Sequence, residues 1–376
     1  MRCACSRMRG EAGSFGACAK RHREFEFDEK KRSTDWAYRS IADSNMKRLT
    51  QEHRHYTFSA SHPPALHVSQ DETFIVETTD CFNGAVTPAN PSAEVAYEKL
   101  NPITGPIFVE GAEVGDMLAV TIHHIETDNI GVARFGSTSG QLARHVDPNC
   151  ACCTRFFDVD KEKKMVTMRD VEKNRRIAPI SFPASPMLGV IGVAPQGDAT
   201  THVPTMPAGK HGGNLDDRMN GIGSTIYLRV NHPGALLSLG DMHASQGDGE
   251  ICGCGVEISG EVQLSCRILK MNSIPVEFPV TETESHWHTH GVTVEDIPGA
   301  TTVACEEAAQ LLVDQWGFTM EDAFVFLSVK GNLGLCQACH PDKGTQIARM
   351  SVRKIDACPR PFRCLHASTS SITNKK

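Results

Sequence analysis

Residues 209–257 read GKHGGNLDDRMNGIGSTIYLRVNHPGALLSLGDMHASQGDGEICGCGVE, and this stretch restricts the fold more than any other. Glycine is dense here, and glycine lets backbone turn with positive φ or approach a ligand where other residues cannot. Between the glycines stand Asp216, Asp217, Asp241, His243, Asp248, Glu250 and Glu257, groups able to bind a metal or move a proton. The apolar run from Ala235 to Leu239 predicts a buried strand that ends at Gly240-Asp241, where a rigid element can aim the acid. Residues two apart in extended chain share a face. Asp241 and His243 should therefore point one way, as should Asp248 and Glu250 after the intervening turn. One strand–turn–strand unit would present four polar groups to a single pocket.

The remaining chain predicts a mostly β protein. TFIVET (73–78), MLAVTIHHI (117–125), the apolar run 187–193 and residues 261–269 are strand-like, and 158–176 suggests an exposed hairpin or edge. Residues 91–100 predict a short helix. Helical spacing with a glycine stop marks 304–316, and a second helix through Val329 has Thr319 as its cap. His286, His288 and His290 alternate along one strand face, a spacing that could hold zinc through three imidazoles, although a solvated face accounts for it as well. His123 and His124 are expected to be surface or structural histidines.

Composition narrows the function classes. A net charge of −7 over 376 residues gives no basic footprint for nucleic acid. No apolar run approaches the ~20 residues that span a bilayer, and the first residues lack a signal peptide's apolar centre. The expected location is cytoplasmic, with organelle targeting by the N-terminal extension as the alternative. Fifteen cysteines, an odd number, are expected to be free thiols in a reducing compartment. Cys336 to His340 matches the C-x-x-C-H haem-attachment pattern, and Cys150, Cys152 and Cys153 form a local cluster; both read as incidental thiols. Residues 1–45 are polar, charged and non-periodic and predict a disordered extension. A catalytic domain over 46–355 and a disordered tail over 356–376 complete the expected organisation.

Three segments carry a resemblance. GGNLD (212–216), PGA (233–235) and GDMHASQGDGE (240–250) look like the signature of the acetamidase/formamidase family; PMLGVIGVAP (186–195) and GPIFVEGAEVGD (105–116) resemble its flanking segments. The likeness runs from about Met46 to about Ile355, in order. It implies a β-sandwich-like core with a small C-terminal helical segment, hydrolysis of short linear amides, and a homo-oligomer. It also places an Asp at position 80, where a turn-forming role is the alternative.

Amides are poor electrophiles, so their hydrolysis needs an activated nucleophile, a polarised carbonyl and a proton for the departing amine. A divalent metal can supply the first two and a carboxylate the third. On this reasoning Asp80, Asp216, Asp241 and His243 are candidate metal ligands. Glu250 is the candidate general base and acid, and Asn214 or loop N–H groups hold the oxyanion. Zinc is the first choice because a histidine is present, with calcium or magnesium if only oxygens bind. Asp217, Asp248 and Glu257 are held back as turn-forming or structural. Two rivals stay open: a thiol nucleophile, Cys252 or Cys254 with His243 as base, and a non-enzymatic small-molecule or metal-binding β domain.

Overall fold

The structure is a computed structural model that describes residues 46–137, 140–147, 153–169, 180–271, 274–339, 344–356, 358 and 362. The expected extension 1–45 and all but three residues of the expected tail lie outside the described residues, as do Cys150, Cys152 and His340.

Strands dominate because β-branched and apolar runs recur between turn residues. Thr73–Thr78, Gly260–Leu269 and Met117–Thr127 lie side by side, with Val262 opposite both Val76 and Ile125. They belong to a nine-stranded sheet that continues through Thr225–Arg229, Val280–Glu282, His286–Thr293 and Gln346–Arg353 to Gly331–Gln337. A seven-stranded sheet is centred on Met187–Gly192, Leu237–His243 and Ile103–Val109. Val76, Val120 and Leu264 from the first sheet meet Ile107, Leu188 and Leu239 from the second in one core, giving the sandwich that the resemblance implies. A smaller four-stranded sheet joins Ile130–Phe135, Cys153–Asp160, Met165–Met168 and Ser181–Pro183. The middle two of these strands form a hairpin that overlaps the first part of the hairpin or edge expected over 158–176; residues 170–176 lie outside the described residues.

Two helices, Ile297–Trp316 and Met320–Lys330, build a second core at the far end of the nine-stranded sheet. Ala300, Ala304, Ala308 and Leu312 face this core, and the buried Trp287 ring stacks on Trp316 at 5.2 Å. The first helix begins seven residues before the expected Ala304, at Ile297. Asp296 Oδ1 accepts from Gly299 N at 2.7 Å, and Pro298 tolerates a first turn whose N–H groups have no helical partner. Gly317, at φ 72°, ends that helix, and Thr319 Oγ1 caps the next by accepting from Asp322 N at 3.1 Å.

Three expectations need correction. Residues 91–100 form no α-helix, only the 3₁₀ turn Tyr97–Lys99, which has no side-chain cap and buries none of its residues. His288 and His290 are not on a solvated face, being 2% and 0% exposed. Each imidazole has its own partner: His286 meets Ser285, His288 meets Ser351 and His290 meets Asp217. Cys81, Cys252, Cys254, Cys266, Cys305, Cys336, Cys339 and Cys358 are free, but Cys153 is disulfide-bonded, so the free-thiol expectation fails there. No helix among the described residues is long and apolar enough to cross a membrane.

Candidate active site

The strand Leu237–His243 is buried along its whole length, flanked by Met187–Gly192 on one side and Ile103–Val109 on the other. Asp241 and His243 project together from it, with Asp241 Oδ1 3.6 Å from His243 Nε2. The expected second strand is absent: residues 244–256 form bends and turns, closed by Gly253 N donating to the Glu250 carbonyl at 2.8 Å. Asp248 and Glu250 therefore do not share a face. Asp248 meets Arg349 Nη2 at 2.7 Å, whereas Glu250 turns inward and is 6% exposed.

Three acids sit in left-handed backbone: Asp216 at φ 42°, Asp241 at 52° and Glu250 at 43°. Such conformations cost about 1–3 kcal/mol each and persist where the surrounding structure enforces them, often at functional sites. Here they turn the three carboxylates toward one another.

Asp216, His243 and Glu250 bring one ligand atom each to within 4.8 Å of one another, and Cys81, Asp241 and Glu257 do the same. Four of the atoms in this cluster are buried with no hydrogen-bond partner: Asp216 Oδ1, Asp241 Oδ1, His243 Nε2 and Glu257 Oε2. His243 Nε2 and Glu257 Oε2 lie 3.0 Å apart, an ion pair when the imidazole is protonated. Leaving such groups unsatisfied in the interior is costly. The other end of each group is fixed. His243 Nδ1 donates to Gln246 Oε1 at 2.8 Å, while Gln246 Nε2 donates to the Asp216 carbonyl at 2.6 Å. Asn101 Nδ2 donates to Asp241 Oδ2 at 3.3 Å and to Asn214 Oδ1 at 3.2 Å. Gln337 Nε2 donates to Asp216 Oδ2 at 2.6 Å, and Gly255 N to Glu257 Oε1 at 3.0 Å.

Gly189 makes room for this arrangement. A Cβ there would lie 2.4 Å from Asp216 Oδ1 and 2.5 Å from Asp241 Oδ2. Residues 140–141 cover the turn that carries Glu250: Gly140 N donates to the Cys339 carbonyl and Gln141 N to the Ile251 carbonyl, both at 2.8 Å.

Burial, then the Asp241 charge, pushes Asp216 up to about 8. Burial raises Glu257 to about 7, and burial with the Asp216 charge lifts Glu250 well above the ordinary carboxylate range. Burial disfavours a charged His243, but Glu257 and Asp241 outweigh it and hold the imidazole well above its ordinary value. Without a cation, these carboxylates tend to retain protons.

The sequence-derived candidates thus divide. Asp216, Asp241, His243 and Glu250 come together, with Asn214 joined to them through Asn101. Asp80 departs from the ligand expectation: its Oδ1 accepts from Phe82 N at 2.8 Å and Gly84 N at 3.1 Å, closing a turn. Glu257, held back from the sequence, faces His243. Asp217 points away to His290 Nε2 at 2.8 Å and Arg349 Nη1 at 3.3 Å. Burial alone would raise Asp217, but these partners hold it well below the usual carboxylate range. Gln246 lies inside the recognised motif. Asn101 and Gln337 carry no comparable signal, because each reaches the site from a distant segment.

Residues 42–203 and 196–334 match the Acetamidase/Formamidase family. An acetamidase of Mycolicibacterium smegmatis is 27% identical over 77% of this chain and 88% of its own. A formamidase of Methylophilus methylotrophus is 26% identical over 69% and 79% respectively. The crystal structure of an acetamidase from Bacillus halodurans superposes with a TM-score of 0.71 at 32% identity, covering 81% of this chain and 97% of that one.

Proposed function

This chain belongs to the acetamidase/formamidase family, and from that premise we infer that it hydrolyses the C–N bond of short linear amides to carboxylate and ammonia with the help of a divalent metal. The observation that carries the metal reading is the set of four buried ligand atoms, on Asp216, Asp241, His243 and Glu257, for which no hydrogen bond is formed, gathered so that His243 Nε2 lies 3.0 Å from Glu257 and 3.6 Å from Asp241. The donor set fits a cation: an imidazole among carboxylates suits zinc, whereas an all-oxygen set would suit calcium or magnesium. Asp216, Asp241 and His243 are the proposed ligands. When bound, such an ion supplies Lewis-acid polarisation of the amide carbonyl and an acidified water.

The chain's own residues do the rest. Gln246 fixes the His243 proton on Nδ1, so Nε2 presents its lone pair to the site. Glu250, next to Asp216, takes a proton from the attacking water when ionised and returns it to the departing nitrogen; its raised affinity for a proton suits the second step. Asn101 turns the Asn214 amide so that its oxygen is occupied, leaving the NH₂ group to donate to the developing oxyanion. The thiol alternative is disfavoured at Cys252. Cys252 Sγ donates to the Cys254 carbonyl at 3.4 Å, and burial pushes its proton affinity up, the reverse of nucleophile activation. A homo-oligomer is part of the same reading. Phe324, Val325 and Val329, 75%, 62% and 74% exposed, form the apolar strip that a second copy of the chain would cover.

Ammonia release from formamide, acetamide and their homologues, before and after chelation and zinc add-back, tests the assignment. Loss on chelation with recovery on add-back is expected. Turnover that survives chelation but stops with iodoacetamide would transfer the reaction to a thiol, and binding without turnover would make the chain a binding domain.

A further inference from the structure

We propose that Arg349 is a positioning residue for the hydrolysis: its guanidinium forks between Asp217 and Asp248 and so holds together the two chain segments that carry Asp216 and Glu250. The inference deepens the hydrolytic reading given above and rests on it. Nη1 donates to Asp217 Oδ1 at 3.3 Å and Nη2 to Asp248 Oδ2 at 2.7 Å. Asp217 follows Asp216 directly, and Asp248 stands two residues before Glu250. The inner end of the fork is anchored. Asp217 is fully buried, Met219 N donates to its Oδ1 at 3.1 Å, and His290 Nε2 lies 2.8 Å from its Oδ2. The outer end grips a turn, at a side chain that is 42% exposed. Arg218 stands off at 3.9 Å from Asp248 Oδ1, so the close hydrogen bond is the one from Arg349.

Stability alone is a poor reason for the outer link. An ion pair to a half-exposed carboxylate adds little, and ordering a long side chain against a turn costs entropy. What the link opposes is relaxation of Glu250, whose backbone sits at φ 42–43° beside its partner Asp216 and keeps that conformation only while its surroundings enforce it. The paired strands Gly331–Gln337 and Gln346–Arg353 supply the other ties to the same turn. Gly249 N donates to the Leu335 carbonyl and Ala338 N to the Gly249 carbonyl, both at 2.8 Å. Gln337 Nε2 donates to Asp216 Oδ2 at 2.6 Å and reaches Glu250 Oε2 at 3.4 Å. Gln337 thus spans the two acids themselves, and Arg349 spans the residues beside them. Gly334 faces Arg349 in the strand register and leaves it room, since a Cβ there would lie 3.1 Å from Cζ and Nη2. The flat fork suits two carboxylates held apart; a lysine keeps the charge and loses that geometry.

Steady-state kinetics on formamide with full-length variants tests this. Arg349→Lys and Asp248→Ala should each lower kcat about 10- to 100-fold, the scale of a displaced reacting group, with KM unchanged. The double variant should fall no further than the worse single one, because both changes cut the same tie. Asp248→Asn, which keeps an oxygen to accept from Nη2, should recover most of the loss. Leu312→Ala, in the second core, should lower Tm and keep kcat, which separates lost positioning from lost stability. If Arg349→Lys fails to fold, Asp248→Ala and Asp248→Asn carry the test by themselves. Parental kcat in Asp248→Ala or Arg349→Lys, losses that multiply in the double variant, or equal losses in Asp248→Ala and Asp248→Asn would overturn the inference while wild-type turnover leaves the hydrolytic reading standing. A wild type that releases no ammonia from any short amide removes both.

Discussion

Glu250 owes its proposed role to a single backbone dihedral. At φ 43° it leaves the side of the turn where Asp248 meets Arg349 and enters the dry cluster beside Asp216. Replacing it with glutamine preserves the shape and removes the proton shuttle. Glu250→Gln should lower kcat by roughly 10²–10⁴-fold, the usual worth of a positioned acid–base group, with KM and melting temperature little changed; steady-state kinetics on formamide checks this. Gly189 acts through space rather than chemistry. The 2.4 and 2.5 Å approaches to the Asp216 and Asp241 oxygens mean that Gly189→Ala must displace one carboxylate or both. Metal content after dialysis and kcat should then fall together, while the circular dichroism spectrum stays that of the parent.

Elements were most legible where a local rule fixes them. TFIVET forms the strand Thr73–Thr78 with the bounds its pattern suggests, and Thr319 caps its helix as its position before an acidic turn implies. Thr319→Ala should cost about 1 kcal/mol of stability, read as a lowered denaturant midpoint, with activity unchanged because the helix pair stands apart from the cluster. The failures share one cause. Residues 91–100 lay Ala93, Val95 and Leu100 on the cluster around Phe82 without forming an α-helix, and half of the expected hairpin around Glu250 is replaced by turns whose hydrogen bonds reach other segments, as when Gly249 N donates to the Leu335 carbonyl. Period and propensity describe a segment by itself, and tertiary partners overrule them.

Over the whole molecule, two buried histidines each contribute a sensitivity to acid. Burial pushes His211 down to about 4 and His288 down to about 3, against an ordinary 6.5. As pH falls through 6.5 these histidines take up protons in the unfolded chain but not in the folded one, so their contribution to stability declines from there toward pH 4. For His211 alone the full decline is about 3 kcal/mol. In thermal melts His211→Leu should gain Tm relative to the parent as the pH is lowered from 7 to 5, since its Nε2 has no hydrogen bond to lose. Quaternary structure belongs to the same scale. Light scattering should find more than one chain per particle, and Val329→Asp, on the exposed apolar strip, should release monomers.

The sequence by itself determined the strand-rich character, the helix caps, the family and the short list of acids around the glycine-dense stretch, because alternation, capping chemistry and glycine placement act over a few neighbouring residues. Only the tertiary structure decided that Asp216 faces the cluster while Asp217, one residue on, joins His290 and Arg349. It also brought Glu257 and Cys81 beside Asp241 and left Asp80 closing its own turn. Those outcomes depend on left-handed turns and on partners as distant in sequence as Asn101 and Gln337, which meet only after the sheets have packed.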